Sequence, residues 1–129
     1  MYICALVIPV PEDREDAYRR WAERGAAIFK ANGCLAITEA WEDFVPDGSV
    51  TDFRKAVAAQ PGEKIVISWQ VWPDKATLDA AEERMHGDGS LDVEGEIPFD
   101  AKRLIFGVFS GALIKTVIPA KAEISGDGG

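Results

Sequence analysis

The sequence predicts a single α+β domain of the ferredoxin-like class, in which two helices lie on one face of a four-stranded antiparallel sheet. Four apolar, β-rich segments alternate with two helical segments in the order β-α-β-β-α-β. Both helical segments open in the same way, because Pro and an acidic residue directly follow a strand at Pro11-Glu12 and at Pro73-Asp74. This weak internal repeat indicates two βαβ halves, as in ferredoxin-like folds.

The first strand and the first helix carry the clearest signals. Residues 2–10 form an apolar run, and Pro11 ends it and suits the first turn of a helix. The helix predicted over 12–31 has acidic residues at its start and basic residues towards its end, which complements the helix dipole. Asn32-Gly33 is a stop signal. The apolar residues of this helix form one stripe: Tyr18, Trp21, Ala22, Gly25 and Phe29.

The other elements follow from the same kind of periodicity and from turn residues. They are a strand over 34–42, a short helix over 52–58, a strand over 64–72, a helix over 75–86 and a strand over 103–114. Thr51 is predicted to cap the short helix, with Asp52 in its first turn, and Asp74 to cap the longer one. We expect residues 1–114 to form the domain and residues 115–129, which are polar and Gly-rich, to form a C-terminal extension.

The predicted strands are apolar on both faces, although two helices can cover only one. Along the third strand Ile65, Ile67, Trp69 and Val71 point one way, and Val66, Ser68, Gln70 and Trp72 point the other. Leaving a few hundred Å² of apolar surface in water costs several kcal/mol at about 25 cal/mol per Å². We therefore expect a homodimer in which two sheets face each other.

Composition excludes several functional classes. The chain has 129 residues and a formal net charge of −8, so nucleic acid and anionic membranes are disfavoured as partners. Residues 76–100 carry most of the acidic excess, which indicates either a solvated face or a docking patch for a basic partner. The amino-terminal sequence does not resemble a signal peptide, and Cys4 and Cys34 are typical of buried, reduced thiols. We expect a cytoplasmic protein.

Motifs of known chemistry are absent from the sequence. It contains no P-loop, no GxGxxG after a strand, no HExxH and no GxSxG. The single histidine, His86, excludes a multi-histidine metal site, and we interpret it as a surface residue in the last turn of a helix. We expect no metal and no cofactor.

Several segments, taken together in their order, resemble the YbaA-like family of small bacterial proteins of unknown function. They include Val45-Pro46-Asp47-Gly48, Thr51-Asp52-Phe53-Arg54, Ser68-Trp69, Pro98-Phe99-Asp100 and Phe106-Gly107. That family belongs to the dimeric α/β-barrel superfamily, so the resemblance implies the same fold and dimer but no reaction. Val108 departs from the pattern, because a second Gly is expected there.

Glu39 is the first candidate for a functional residue. A carboxylate in an apolar strand is costly unless it is exposed, paired or protonated. It therefore either faces solvent or a basic partner, or is a buried general base. Trp41 and Trp69 are interpreted either as core residues or as the aromatic lining of a ligand cavity, with Glu39 and Ser68 as its polar groups.

Two charged pairs form the second set of candidates. Asp52 and Arg54 lie in the 43–63 connection, which is long for a link between adjacent strands. They form either a helix cap with a surface pair or a flap over the barrel mouth, with Asp52 as a base and Arg54 binding an anion. Asp100 and Arg103 either close a loop or place a carboxylate and a guanidinium at the same mouth.

Two functions remain open on the sequence. One is a pocket in each subunit for a small aromatic or anionic molecule, with cofactor-independent oxygenation or isomerisation as the chemistry by analogy with the superfamily. The other is a non-catalytic stress-response or protein-interaction dimer that uses the acidic 76–100 face.

Overall fold

The computed structural model describes residues 1–87 and 96–115, without the side chains of residues 85–87. A 3₁₀ turn, Glu12–Arg14, precedes the first α-helix. The strands are β1 (Tyr2–Pro11), β2 (Ala36–Trp41), β3 (Glu63–Trp72) and β4 (Ile105–Ser110), and the helices are α1 (Glu15–Ala31), α2 (Phe53–Ala56) and α3 (Lys75–Gly87).

The four strands form one antiparallel sheet in the order β2-β3-β1-β4. Each half of the chain is a βαβ unit whose two strands flank a strand of the other half. The central pair is β1 with β3, in which Tyr2 faces Trp72 and Pro11 faces Glu63. The predicted ferredoxin-like α+β fold is confirmed.

The hydrophobic core lies between the sheet and α1 and α3, and it has two clusters of buried side chains. One contains Cys4, Cys34, Trp72, Leu78 and Ala81. The other contains Ile8, Val10, Tyr18 and Val66, with Trp21, Trp41 and Phe99 packed against it. The stripe predicted for the first helix therefore faces the sheet, and both cysteines are buried and free.

The opposite face of the sheet, here called the open face, has neither α1 nor α3 on it. Alternation along the strands places Trp69 on this face, together with Ile105 and Phe109 of the edge strand. These three side chains are 38%, 45% and 57% exposed. The two-faced apolar character predicted for the strands is confirmed.

Element ends differ from the sequence prediction where a local hydrogen bond intervenes. The cap of α2 is Asp52 and not Thr51, because the Asp52 carboxylate accepts from Lys55 N at 2.7 Å. β4 begins at Ile105, because Asp100 holds a turn by accepting from Lys102 N and Arg103 N. Asp74 does cap the third helix, accepting from Thr77 N at 2.8 Å.

Some predictions concern residues outside the described part. Three of the eight acidic residues of 76–100 (Asp88, Asp92 and Glu94), the side chain of His86 and nearly all of the extension 115–129 lie there. Among the described residues no helix is both long enough and apolar enough to span a membrane.

Candidate ligand-binding site

A groove of about 480 Å³ runs between α1 and the edge strand β2. Tyr18, Ala22 and Ala26 line it from the helix, and Ile37, Glu39 and Trp41 line it from the strand. Its size falls within the range of small-molecule sites, which are mostly apolar with a few convergent polar groups. Glu39 is the polar group at its floor.

The Glu39 carboxylate is held by two buried hydroxyl groups. Tyr18 OH donates to Oε1 at 2.6 Å, and Ser68 Oγ donates to Oε2 at 3.0 Å. Tyr18 and Ser68 are 2% and 3% exposed, whereas Glu39 itself is an exposed residue of the single chain. The carboxylate thus bridges the core and the groove, and each oxygen keeps acceptor capacity for a further partner.

The local sequence explains why these three groups meet. Glu39 and Ser68 are directly opposed in the β2–β3 ladder, so their side chains leave the sheet on the same face. Tyr18 lies on the apolar stripe of α1, which packs on that face. An edge strand leaves one flank open, which lets the carboxylate reach the groove.

Burial and hydrogen bonding act in opposite directions on Glu39. Burial raises the pKa of the Glu39 carboxyl group above its ordinary value, and the Tyr18 and Ser68 donors oppose the rise. Burial, together with the neighbouring carboxylate, also raises the pKa of Tyr18. The phenol therefore stays protonated and acts as a donor to Glu39.

Charged side chains of α1 form the rim of the groove. Arg19, Arg20 and Glu23 all line it. Arg19 is paired with Glu15 at 2.8 Å along the helix, so Arg20 is the better placed cation for an anionic ligand group. The groove thus combines an apolar wall, the Glu39 carboxylate at its floor and, at its rim, two guanidinium groups and a second carboxylate.

Asp52 and Arg54 lie in the connection between β2 and β3. Asp52 accepts from Gly48 N and Lys55 N, and Arg54 donates to the carbonyl oxygens of Glu63 and Gln60. Backbone hydrogen bonds lower the pKa of Asp52. Both side chains therefore hold the shape of the connection, and neither lines the Glu39 groove.

Asp100 and Arg103 belong to another ion-pair network. Arg103 donates to both carboxylate oxygens of Glu63, at 2.8 and 2.6 Å, to Asp100 at 3.0 Å, and to the carbonyl of Ala58. Arg103 lowers the pKa of Glu63. This network joins the connection to the segment just before β4. These are the contacts expected if Asp100 and Arg103 close a loop.

The structure brings together three of the predicted site residues, namely Glu39, Trp41 and Ser68. Trp69 lies on the open face, since adjacent residues of a strand point to opposite sides. Sequence reasoning placed Tyr18 only in the helix stripe and did not identify it as the partner of Glu39. A buried tyrosine needs a hydrogen-bond partner, and this is the signal that could have connected the two.

The described residues contain no group of three or more His, Cys, Asp and Glu side chains arranged to hold a metal ion. The fold and the groove define a ferredoxin-like α+β protein with a candidate small-molecule site between a helix and the sheet edge.

The sequence profile of a family of proteins of unknown function, DUF1428, matches residues 1–101. The chain therefore belongs to this family. The uncharacterized protein YbaA of Escherichia coli strain K12 is 45% identical over 113 residues, covering 87% of this chain and 97% of the relative. The same values hold for YbaA of Shigella flexneri. The resemblance to the YbaA-like family is confirmed.

Solved structures with a similar arrangement are more distant. A dimeric ferredoxin-like protein from an uncultured marine organism has a TM-score of 0.47 and 10% identity, covering 92% of this chain and 100% of the other. A de novo designed protein has a TM-score of 0.39 and 19% identity, covering 84% and 92%.

Proposed function

We propose that the protein is a homodimer in which each subunit binds one small organic molecule in the groove between α1 and β2. The observation that carries this proposal is the Glu39 carboxylate, which two buried hydroxyl groups hold at the floor of a groove of about 480 Å³.

The open face supports the homodimer. Its most exposed large residues are Trp69 on β3 and Ile105 and Phe109 on β4, the two strands that flank β1 in the sheet. A contiguous apolar patch of this kind marks an interaction surface. A second copy presents the same patch, so a two-fold axis through this face pairs apolar surface with apolar surface.

The energetic cost of placing Glu39 supports the binding site. Although Glu39 is an exposed residue, two neutral hydroxyls replace part of the water around its carboxylate, and this partial desolvation costs stability unless it is offset. Tyr18 and Ser68 occupy one acceptor site on each oxygen, and a ligand donor in the groove would occupy another. A polar group that is held in place on a mostly apolar wall is typical of small-molecule recognition sites.

The groove chemistry favours a small aromatic acid that carries a hydroxyl group. The ring would pack on Trp41 and Ala22, the hydroxyl would donate to Glu39, and the carboxylate would pair with Arg20. A single-ring molecule fits the available volume.

Glu39 would also supply a proton acceptor. A carboxylate with a raised pKa is better matched to proton abstraction near neutral pH than an ordinary one. Abstraction of a proton from the bound molecule is the first step of the cofactor-independent oxygenation or isomerisation expected from the sequence. Glu39 would be the base and Ser68 a positioning residue.

Titration with 4-hydroxybenzoate, followed by ¹H–¹⁵N NMR of the full chain, tests the proposal. We expect the shifted signals to be those of Ala22, Ala40 and the Trp41 indole N–H, all on the groove walls. The Glu39→Gln variant should bind at least about tenfold more weakly, since it loses a charged acceptor.

Asp79→Asn is the matched control, because Asp79 is an exposed carboxylate on α3 paired with Lys75. It should bind the probe as the wild type does. Shifts that lie elsewhere, or equal affinity of the wild type and Glu39→Gln, would contradict the proposed site.

A further inference from the structure

Residues 43–53, here called the arm, carry large apolar side chains into solvent. Phe44 is 80% exposed, Val50 is 91% exposed and Phe53 is 49% exposed. These three residues lie within eleven positions of the chain. Phe44 and Val50 are more exposed than any large apolar residue of the four strands, and only Phe106 and Phe109 among those exceed Phe53. Exposed apolar side chains this close together in the chain indicate contact with another surface.

The arm has a fixed shape even though its tip is exposed. Gly48 N donates to Asp52 Oδ2 at 2.9 Å, and Lys55 Nζ donates to Gly48 O at 2.8 Å. A Cβ at Gly48 would lie 1.9 Å from the carbonyl oxygen of Thr51. The close turn therefore requires glycine at position 48. Because these contacts already fix the arm, its apolar side chains lose little conformational entropy when they bind another surface.

The arm is fastened to the sheet at its base. Glu42 Oε1 accepts from Ile65 N at 2.7 Å, and Arg54 donates to the Glu63 carbonyl at 2.8 Å and lies 3.4 Å from Glu42. These contacts place the base of the arm at the end of the sheet where β3 begins.

Burial shows which face of the sheet the connection covers. Pro9 and Ile65 are paired across β1 and β3 on the open face, and both are almost fully buried. Val57 is also buried, and none of the three belongs to the two clusters on the helix face. The connection that holds Val57 therefore lies over this end of the open face, and the arm begins at the edge of the sheet beside it.

The exposed apolar area of the open face and the arm together is close to what one subunit of a stable dimer buries. Aromatic side chains have about 150–250 Å² each, so the exposed parts of Trp69, Ile105 and Phe109 amount to roughly 300 Å². The arm adds roughly 400 Å² on the same scale. A stable interface needs about 800 Å² per partner, which the three sheet residues alone do not reach and both patches together approach.

We propose that the arm of each subunit packs across the partner's open face, so that Phe44 and Val50 are buried only in the homodimer. This inference rests on the homodimer proposed above. Its occupant is a second copy of this chain, because the arm and the open face of one subunit together approach the area that a stable interface needs, and a two-fold axis brings each against the other.

Photocross-linking between isotopically distinct subunits tests the arm directly. A benzophenone maleimide is attached to the new thiol of the Val50→Cys variant. The native Cys4 and Cys34 react much more slowly with the maleimide, because both are buried and burial raises their pKa values. The labelled ¹⁴N protein is mixed with unmodified ¹⁵N protein, irradiated after subunit exchange, and analysed by peptide mass spectrometry, with the subunit count determined by sedimentation.

We expect cross-links that join the ¹⁴N arm peptide to ¹⁵N peptides of β1, β3 or β4. A dimer in which cross-links form only within one isotopic chain, or not at all, overturns the arm's role and leaves the homodimer standing. A monomer by sedimentation overturns both.

A substitution series gives an independent test. The double variant Phe44→Ser/Val50→Ser should raise the dimer dissociation constant at least tenfold. Leu35→Ser, at an exposed leucine directly before β2, is the control and should leave it unchanged. An unchanged dissociation constant in the double variant would also overturn the proposal.

Discussion

The two faces of the sheet are built from the same kinds of residue but differ in what covers them. On the helix face Cys4, Val66 and Trp72 are almost fully buried against α1 and α3. On the open face Trp69 and Phe109 stay exposed in the single chain. One face is therefore the core of the fold, and the other is proposed to be an interface.

The comparison shows that strand composition alone does not tell a core from an interface. Trp69 and Trp72 lie three positions apart on β3, on opposite faces, with very different exposure. Both faces carry apolar side chains, because one leaves water during folding and the other leaves it during association in the homodimer that we propose. Substitutions on the two faces should therefore separate folding from association.

The largest effect is expected at Trp72. Replacing it with Ala empties a site that is closed on all sides, at a cost of about 3–5 kcal/mol of unfolding free energy. Urea denaturation at one fixed protein concentration measures the loss. Trp69→Ala, at the same residue type on the opposite face, is the control. Equal losses in the two variants at concentrations where the chain is monomeric would contradict the distinction between the faces.

The second effect is on association. Trp69→Ala should weaken the dimer by about 2 kcal/mol or more, which is a roughly 30-fold rise in the dissociation constant, because buried tryptophans dominate interfaces. Sedimentation velocity over a dilution series measures it. Lys75→Ala, on α3, should not change the dissociation constant, and a similar change in both variants would argue against the open face.

The third effect concerns the ion pair that holds the connection over one end of the open face. Glu63→Gln should lower the unfolding free energy by about 2 kcal/mol, since it removes the charge from two short hydrogen bonds that Arg103 donates.

This contribution should depend on pH, because the pKa of Glu63 is lowered in the folded state, mainly by Arg103. The stability that the ion pair contributes is present above the ordinary pKa of 4.5 and is lost as the pH falls through the lowered pKa of the folded protein.

Denaturation of the wild type and Glu63→Gln at pH values on both sides of 4.5 measures that loss. The advantage of the wild type should shrink in acid. Asp79→Asn removes an exposed pair and is the control, whose cost should be small because exposed ion pairs contribute little to stability. A wild-type advantage that grows as pH falls would contradict the assigned direction.

The smallest effect is the pH dependence at Glu39, on the helix face. Its pKa is raised in the folded state by burial, so the native protein binds a proton more readily than the unfolded chain. The resulting stability is present below the ordinary value of 4.5 and is lost as pH rises through the folded pKa. The unfolding free energy of Glu39→Gln relative to the wild type should therefore increase between pH 4 and pH 7.

A constant difference between the two proteins over that range would show that the Glu39 carboxyl titrates as it does in the unfolded chain. Ser68→Ala provides a check on the cause. It removes one donor to the carboxylate, so the pKa of Glu39 should rise further and the pH trend should steepen.

The sequence predicted the fold well because the fold depends on periodicity. Alternation placed Val66 and Trp72 on one side and Trp69 on the other, and the stripe of α1 identified the helix face. The same alternation already separates Ser68 from Trp69, so the predicted cavity with both residues as lining could not form within one chain.

The site was less predictable because its partners are distant in sequence. Tyr18 and Glu39 are 21 residues apart, and their hydrogen bond depends on where α1 crosses β2. The prediction of Thr51 as the cap of α2 was wrong for a related reason. Asp52 is the cap, and the turn at Gly48 brings a second backbone donor, Gly48 N, to its carboxylate.

Sedimentation equilibrium of the wild-type protein, from nanomolar to micromolar concentration, tests the central claim most directly. The claim is that the open face is covered by a second copy of the chain. It predicts a mass of twice the 14.0 kDa chain at micromolar concentration, with dissociation on dilution. A mass of one chain over the whole range would contradict it.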